Sequence, residues 1–333
     1  MWKNQVKKNS FFFHIHYYFF WLIMITTVVG SFPIEAKEPN TISDKIKKPL
    51  GLYDPYKKAI EEIVELQYDL GIDIVTEGQV RDDMVALFVK HIPGFTYKNN
   101  SSLITGKIKK PNHEITVKDV KIAQKKLKEL TSDSNKGVKG IITGPSTIIY
   151  SSHIESFYKN KDKAIIDYAH AIKHEAKALE KAGCKYIQID EPFLSTGIVN
   201  LDTAQKAIKI VTEDIKIPTA MHVCGDISKV FKNLAKFDVD ILDFEFAGNN
   251  TNIRTLEDNR EYLKNKKIGF GCINSASRDL DKEEDVEKLI KRGITIMGEE
   301  NLLLDPDCGL KKVPLPTVKD KLNLMVKLNQ KLQ

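Results

Sequence analysis

From residue 24 onward the chain alternates short apolar strands with amphipathic helical runs, and this alternation leaves few folds open to it. Eight strand-like segments stand out: ITTVVG at 25–30, IDIVTEG at 72–78, KGIITGP at 139–145, KYIQIDEP at 185–192, PTAMHVCG at 218–225, ILDFEFAG at 241–248, KIGFGCI at 267–273 and NLLLDPDCG at 301–309. Runs such as PYKKAIEEIVELQYDLG and DKAIIDYAHAIKHEAKALEKAG separate them, apolar at helical spacing and closed by glycine. Strands repeatedly joined through helices build a parallel sheet, because parallel neighbours need a long crossover. Eight such units in about 310 residues suit a TIM (β/α)8 barrel, a fold of about 200 to 400 residues. The competitor is a doubly wound open sheet, but no glycine-rich phosphate-binding turn follows the first strand.

Two segments interrupt the pattern. Residues 91–117, HIPGFTYKNNSSLITGKIKKPNHEITV, are rich in turn formers around two alternating stretches, which predicts a hairpin insertion after the second unit, either covering the barrel mouth or simply solvated. The other is the N-terminus, where Phe11 to Val29 form a largely apolar stretch of 19 residues, long enough to cross a bilayer. No small-residue cleavage site closes it, and its end, ITTVVG before Ser31-Phe32-Pro33, reads as a β-branched core strand. A core strand cannot also sit in lipid. The domain is therefore expected to span 24–333, with 1–23 an N-terminal extension outside the fold; a real membrane anchor or signal is the rival reading.

The formal charge of +6 falls to +3 once Lys3, Lys7 and Lys8 of the extension are set aside, too little and too dispersed for a nucleic-acid partner. Four cysteines, Cys184, Cys224, Cys272 and Cys308, make no disulfide framework in 333 residues and suit a reducing, cytoplasmic compartment without a membrane partner.

Polar residues gather at the carboxyl ends of the strands: Ser31, Glu77, Asp190 with Glu191, His222 with Cys224, Glu245, Asp305, Asp307 and Cys308. In a β/α barrel those ends open onto one face, so residues a hundred positions apart converge. His222 and Cys224, two apart on a strand, point to one side about 7 Å apart, within reach of one metal ion. An H-x-C alone is more often the pattern of a buried histidine beside a packed thiol. Glu245 and Cys308 at other strand ends complete a donor set suited to tetrahedral zinc, the thiolates favouring it over magnesium or calcium. Cys184 and Cys272 lack such company and read as packing residues. Two thiolates and a carboxylate make zinc a poor activator of water but a suitable holder of a substrate thiolate, which points to alkyl transfer onto sulfur.

TTVVGSFP, TEGQVRDDM, IQIDEP, MHVCGD, DFEFAG and LLLDPDCGL together resemble the catalytic barrel of cobalamin-independent methionine synthase, most closely its short archaeal form, over nearly the whole chain from Met24. The resemblance implies one zinc ion on His222, Cys224, Glu245 and Cys308, with L-homocysteine as the methyl acceptor and L-methionine as the product. It implies that Ser31 and Asp190 hold the amino-acid end of homocysteine and that Glu77 shares that task. A carboxylate facing an ammonium is a charge-assisted hydrogen bond. The chain departs from the long form of the family in two places. Gly144-Pro145-Ser146-Thr147-Ile148-Ile149-Tyr150 lacks the tryptophan on which folate stacks, and GFGCINSASRD lacks the histidine that follows the seventh strand. The resemblance therefore implies a methylcorrinoid donor, carried by a corrinoid protein, in place of methyltetrahydrofolate. The nearest alternative is a methylcobalamin methyltransferase acting on another thiol such as coenzyme M, whose sulfonate would be repelled by Asp190 and Glu77.

Overall fold

The structure, a computed structural model, describes residues 23–50 and 52–333; the expected extension, apart from Ile23, lies outside the described residues. The strands are β1 (Ile25–Thr26), β2 (Ile74–Val75), β3 (Phe95–Lys98), β4 (Ser101–Ile104), β5 (Gly137–Val138), β6 (Gly140–Thr143), β7 (Ser152–Ile154), β8 (Ile187–Asp190), β9 (Thr219–Val223), β10 (Ile241–Glu245), β11 (Lys267–Ile273) and β12 (Leu302–Pro306). Seven of them form one parallel sheet in the order β1-β12-β11-β10-β9-β8-β6. Beyond β1, a bridge from Thr27 to Ile74 leads to β2, β2 pairs in parallel with β5, and only Lys139 separates β5 from β6. The sheet thus curls until its two edges approach each other, an α/β architecture in which helices return the chain from strand to strand. Among the described residues no helix is long and apolar enough to cross a membrane.

Hydrophobic burial accounts for the curl on both faces. Ile25, Ile74, Tyr186, Ala220, Ile241 and Leu303 form a small buried cluster of their own, contributed by β1, β2, the residue before β8, β9, β10 and β12. The larger cluster lies between the strands and the helices. Helix Lys161–Lys181 shows how the sequence drives this packing. Asn160 caps it by accepting from the Lys163 N–H, and Ile165, Tyr168, Ala169, Ile172, Ala176 and Leu179 recur at helical spacing on its buried face. Each isoleucine or leucine buried in this way contributes about 1.5–3 kcal/mol.

Most strands are shorter than the sequence pattern predicts. Thr76-Glu77-Gly78, Cys224-Gly225, Phe246-Ala247-Gly248 and Asp307-Cys308-Gly309 all lie past the ends of their ladders. Gly225 has φ +91, a left-handed conformation that turns the chain out of the sheet just after Cys224. Expected strand 139–145 is broken at Lys139 and gives way to a helix at Pro145–Tyr150. Within 91–117, β3 and β4 pair antiparallel across Asn99 and Asn100, both left-handed at φ 51 and 56, and β7 adds to β4 in parallel.

Arg81, in the loop after β2, ties this curl to two helices. It donates to Asp54 at 2.7 Å and to Asp119 at 2.5 and 2.6 Å, while Lys118 reaches Asp54 from outside. Burial by itself would raise the Asp54 carboxyl, but hydrogen bonds from Arg81, Lys118 and the Tyr56 N–H outweigh it and hold the group at about 2. A depressed carboxyl stabilises the fold above its unfolded value and loses that contribution as pH falls through the folded one. Stability should therefore drop between about pH 4 and pH 2. Arg81→Met, which strands Asp119 and leaves Asp54 only Lys118 and the Tyr56 N–H, should cost about 2 to 4 kcal/mol in urea unfolding at pH 7 and flatten that acid limb. An unchanged midpoint would show that these pairs are solvent-screened and contribute nothing.

Candidate metal centre

Register sets the site. Asp190 of β8 lies opposite His222 of β9, and His222 lies opposite Asp243 of β10, so three polar residues stand side by side across adjacent strands. His222 is buried, 2% exposed, with Nδ1 3.1 Å from Asp243 Oδ1 as an ion-pair contact and neither ring nitrogen in a well-aligned hydrogen bond. Cys224 follows on the turn after β9, and Cys308 arrives from the turn after β12. One ligand atom from each of His222, Cys224 and Cys308 lies within 4.8 Å of the others, the one such group of three among the described residues. Cys224 and Cys308 are half-buried and free of disulfides. Their pairing favours a single shared proton: the Cys224 hydrogen bond and His222 pull Cys308 down to about 4, and Cys224 is pushed up. A buried imidazole with an unpartnered nitrogen beside two thiols fits a soft divalent ion, and uptake would release protons.

Glu245, at the carboxyl end of β10, is half-buried and stands outside that group of three. Burial raises its carboxyl, opposed by a hydrogen bond from the Gly225 N–H. Asn252 binds the same two loops together, donating to Gly225 O at 2.9 Å and Glu245 O at 2.8 Å. Asp307 clamps the three residues after Glu245, accepting from the N–H groups of Phe246 (2.9 Å), Ala247 (3.0 Å) and Gly248 (2.6 Å). The turn carrying Cys308 also abuts the loop after β1: a Cβ on Gly309 would meet Ser31 Oγ at 2.2 Å, and Leu310 N–H donates to Ser31 O. Ser31 is thus brought next to the cysteine turn although 277 positions separate it from Cys308.

The remaining carboxylates divide into two kinds. Glu77 and Asp190 are buried, and burial raises them to about 7 and about 6. Glu77 Oε1 accepts from the Gln79 N–H at 3.2 Å while its Oε2 has no partner; Asp190 accepts from Gln188 at 2.7 Å. Glu191 is fully used inside the protein, accepting from Ser146 N–H, Thr147 N–H and Thr147 Oγ1 at 2.7–2.9 Å, which fastens the start of helix Pro145–Tyr150. Cys184 and Cys272 are buried away from the group, as packing residues are.

Asp243, which motif reading passes over, is the acid that the sheet sets against His222. Its signal was present in the strand alternation of ILDFEFAG, where it shares a side with Glu245. A carboxylate on the far nitrogen of a ligating histidine fixes the ring and raises its basicity. Asp243→Asn should weaken metal retention about ten- to a hundredfold in competition with a chromophoric chelator. Retention equal to that of the unaltered chain would mean that Asp243 serves the core alone.

The profile of the cobalamin-independent synthase catalytic domain matches residues 24–331. A methionine synthase of Methanothermobacter thermautotrophicus is 46% identical over 305 residues, covering 91% of this chain and 98% of that protein. One of Methanocaldococcus jannaschii is 43% identical over 316 residues, covering 91% and 97%. Among solved structures, a B12-independent methionine synthase from Shewanella sp. W3-18-1 in complex with selenomethionine aligns with a TM-score of 0.78 at 23% identity, over 93% of this chain and 98% of that one, a likeness of fold. With the profile spanning nearly all of the described residues and the relatives matched almost end to end, the chain belongs to the family of cobalamin-independent synthase catalytic domains.

Proposed function

We propose that this chain is a zinc-dependent methyltransferase that methylates L-homocysteine to L-methionine, with a methylcorrinoid as donor in place of methyltetrahydrofolate. The observation that carries the reading is the juxtaposition of a soft His222, Cys224 and Cys308 group with the buried carboxylate of Asp190, which lies opposite His222 in the sheet. The family and the names of the relatives support the same reaction. The reading includes a complete (β/α)8 barrel over 24–333 with the β3–β4 hairpin as an insertion after its second unit, a cytoplasmic location, and residues 1–23 as a dispensable extension.

His222, Cys224, Glu245 and Cys308 would hold the ion, Glu245 being the one of the four that stands outside the compact group of three. Zinc, when bound, lowers a thiol's pKa and keeps the sulfur nucleophilic at neutral pH. Asp190 and Glu77 receive the substrate ammonium, and the Ser31 hydroxyl meets its carboxylate end. These contacts fix the sulfur for in-line attack, so that the sulfur–carbon bond forms as the bond from methyl to donor breaks. The donor assignment rests on helix Pro145–Tyr150, which carries no tryptophan; its Tyr150 packs against Phe193 with ring centroids 5.9 Å apart. The test offers homocysteine and coenzyme M as competing acceptors, each with methylcobalamin and with methyltetrahydrofolate. Methionine formed from methylcobalamin supports the reading; preferential methylation of coenzyme M overturns the acceptor, and turnover with folate alone overturns the donor.

Two kinds of substitution separate metal from substrate. Cys308→Ser and Cys224→Ser should each lose zinc, read by elemental analysis, with little change in thermal stability, because the core does not draw its burial from the ion. Stoichiometric zinc in both proteins would put the metal elsewhere. Asp190→Asn should keep zinc but bind homocysteine about ten- to a hundredfold more weakly while sparing 3-mercaptopropionate, which lacks the amino group. Equal losses for the two thiols would remove Asp190 from substrate recognition.

A further inference from the structure

Behind Asp190 lies a polar chain that neither the family resemblance nor the metal centre explains. Lys139 is fully buried at the break between β5 and β6. Its N–H donates to Val75 O, and its ammonium sits 5.3 Å from the centroid of the Tyr186 ring and donates to Gln188 Oε1. Gln188 is also fully buried, two residues before Asp190 on β8 and therefore on the same side of the strand. Its amide nitrogen donates to Val29 O at 2.9 Å and to Asp190 Oδ1 at 2.7 Å.

With Lys139 charged and Asp190 ionised, the chemistry of these groups permits one arrangement. An ammonium donates and never accepts, so the carbonyl end of the Gln188 amide must face Lys139. Both amide hydrogens are then left for the other side, where Val29 O and Asp190 Oδ1 are acceptors. A reversed amide would set two donors against each other at Lys139 and two acceptors against each other at Asp190, in a fully buried site. Burying a lysine is costly, and sheet packing would be served as well by methionine. Burial lowers this lysine's pKa, and Asp243, Asp305, Asp190 and Glu77 oppose that through their charge.

We propose that Lys139 and Gln188 are positioning residues for substrate recognition: Lys139 fixes the Gln188 amide, the amide pins one oxygen of Asp190, and the other oxygen is thereby aimed at the ammonium group of an α-amino-acid thiol. The inference rests on the reading of Asp190 as the ammonium acceptor. It makes the barrel interior below the metal, and not the metal, the part that selects an amino acid over a simple thiol.

The test measures binding of homocysteine and of 3-mercaptopropionate to the zinc-loaded protein by calorimetry, with zinc content and melting temperature recorded for every variant. Lys139→Met removes the fixing donor; Gln188→Glu keeps a partner for Lys139 but turns an acceptor toward Asp190, and it decides the matter if the first variant fails to fold. Each should weaken homocysteine about tenfold and leave 3-mercaptopropionate within about twofold, with zinc retained. A purely structural role would move both thiols, or the melting temperature alone, and either result overturns the proposal. Asp190→Asn runs alongside to separate the two claims. If it discriminates between the thiols while the Lys139 and Gln188 variants do not, the relay is wrong and the substrate reading stands. If Asp190→Asn itself fails to discriminate, the substrate reading falls and the relay falls with it.

Discussion

The parallel hydrogen-bond register of β8, β9 and β10 is the constraint on which the site depends. Because side chains alternate with a period of two, a slip of one residue in either ladder would turn a whole strand's set of polar side chains away from the interior. Held as it is, the ladder sets Asp190, His222 and Asp243 level with one another at the carboxyl edge. The strands can stop there because the burial that fixes the register comes from below, in the ring that includes Tyr186, Ala220 and Ile241, and from the helices outside.

Above that ladder the loops are held by polar bonds in addition to buried side chains such as Phe246 and Leu310. Asp307 spans three consecutive N–H groups, Asn252 joins the loops after β9 and β10, and Glu191 holds the start of helix Pro145–Tyr150. Each is a charged or amide group engaged with backbone, the arrangement in which a buried polar residue rigidifies its surroundings. Against them stand groups left open: Glu77 Oε2 and His222 Nε2 are buried without partners. Unsatisfied buried polar atoms are rare in a folded chain, and their concentration near the strand ends marks where something else is meant to bind.

Buried acids dominate the electrostatics behind the strand ends. Burial raises Glu77 and Asp190, so each gains from a cation placed beside it. Asp190 stands beside His222 in the register, and His222, Cys224 and Cys308 form a group able to hold a metal ion.

The β/α alternation, the helix faces, and the chemical kind of the site were all legible in the residues. Strand and helix periods are local properties, and MHVCGD with LLLDPDCGL names metal-binding residue types whatever the fold around them. Strand ends were read too long because the apolar run continues into turns; pairing ends at Cys224 through the left-handed backbone of Gly225, not through a change in hydrophobicity. Only the tertiary structure decided which acids face the centre and which serve the scaffold. Asp190 and Glu191 are neighbours on one strand end, yet the first turns inward beside Gln188 and the second outward onto Ser146 and Thr147. The same holds for Lys139, which no local pattern sets apart from any other strand-end cation, and for Asp243, whose place on the Glu245 side of its strand is legible but whose partner His222 is not. These partnerships arise from curling the sheet, which brings side chains from distant strands into one buried interior, where a charge must find its partner across the fold and not along the chain.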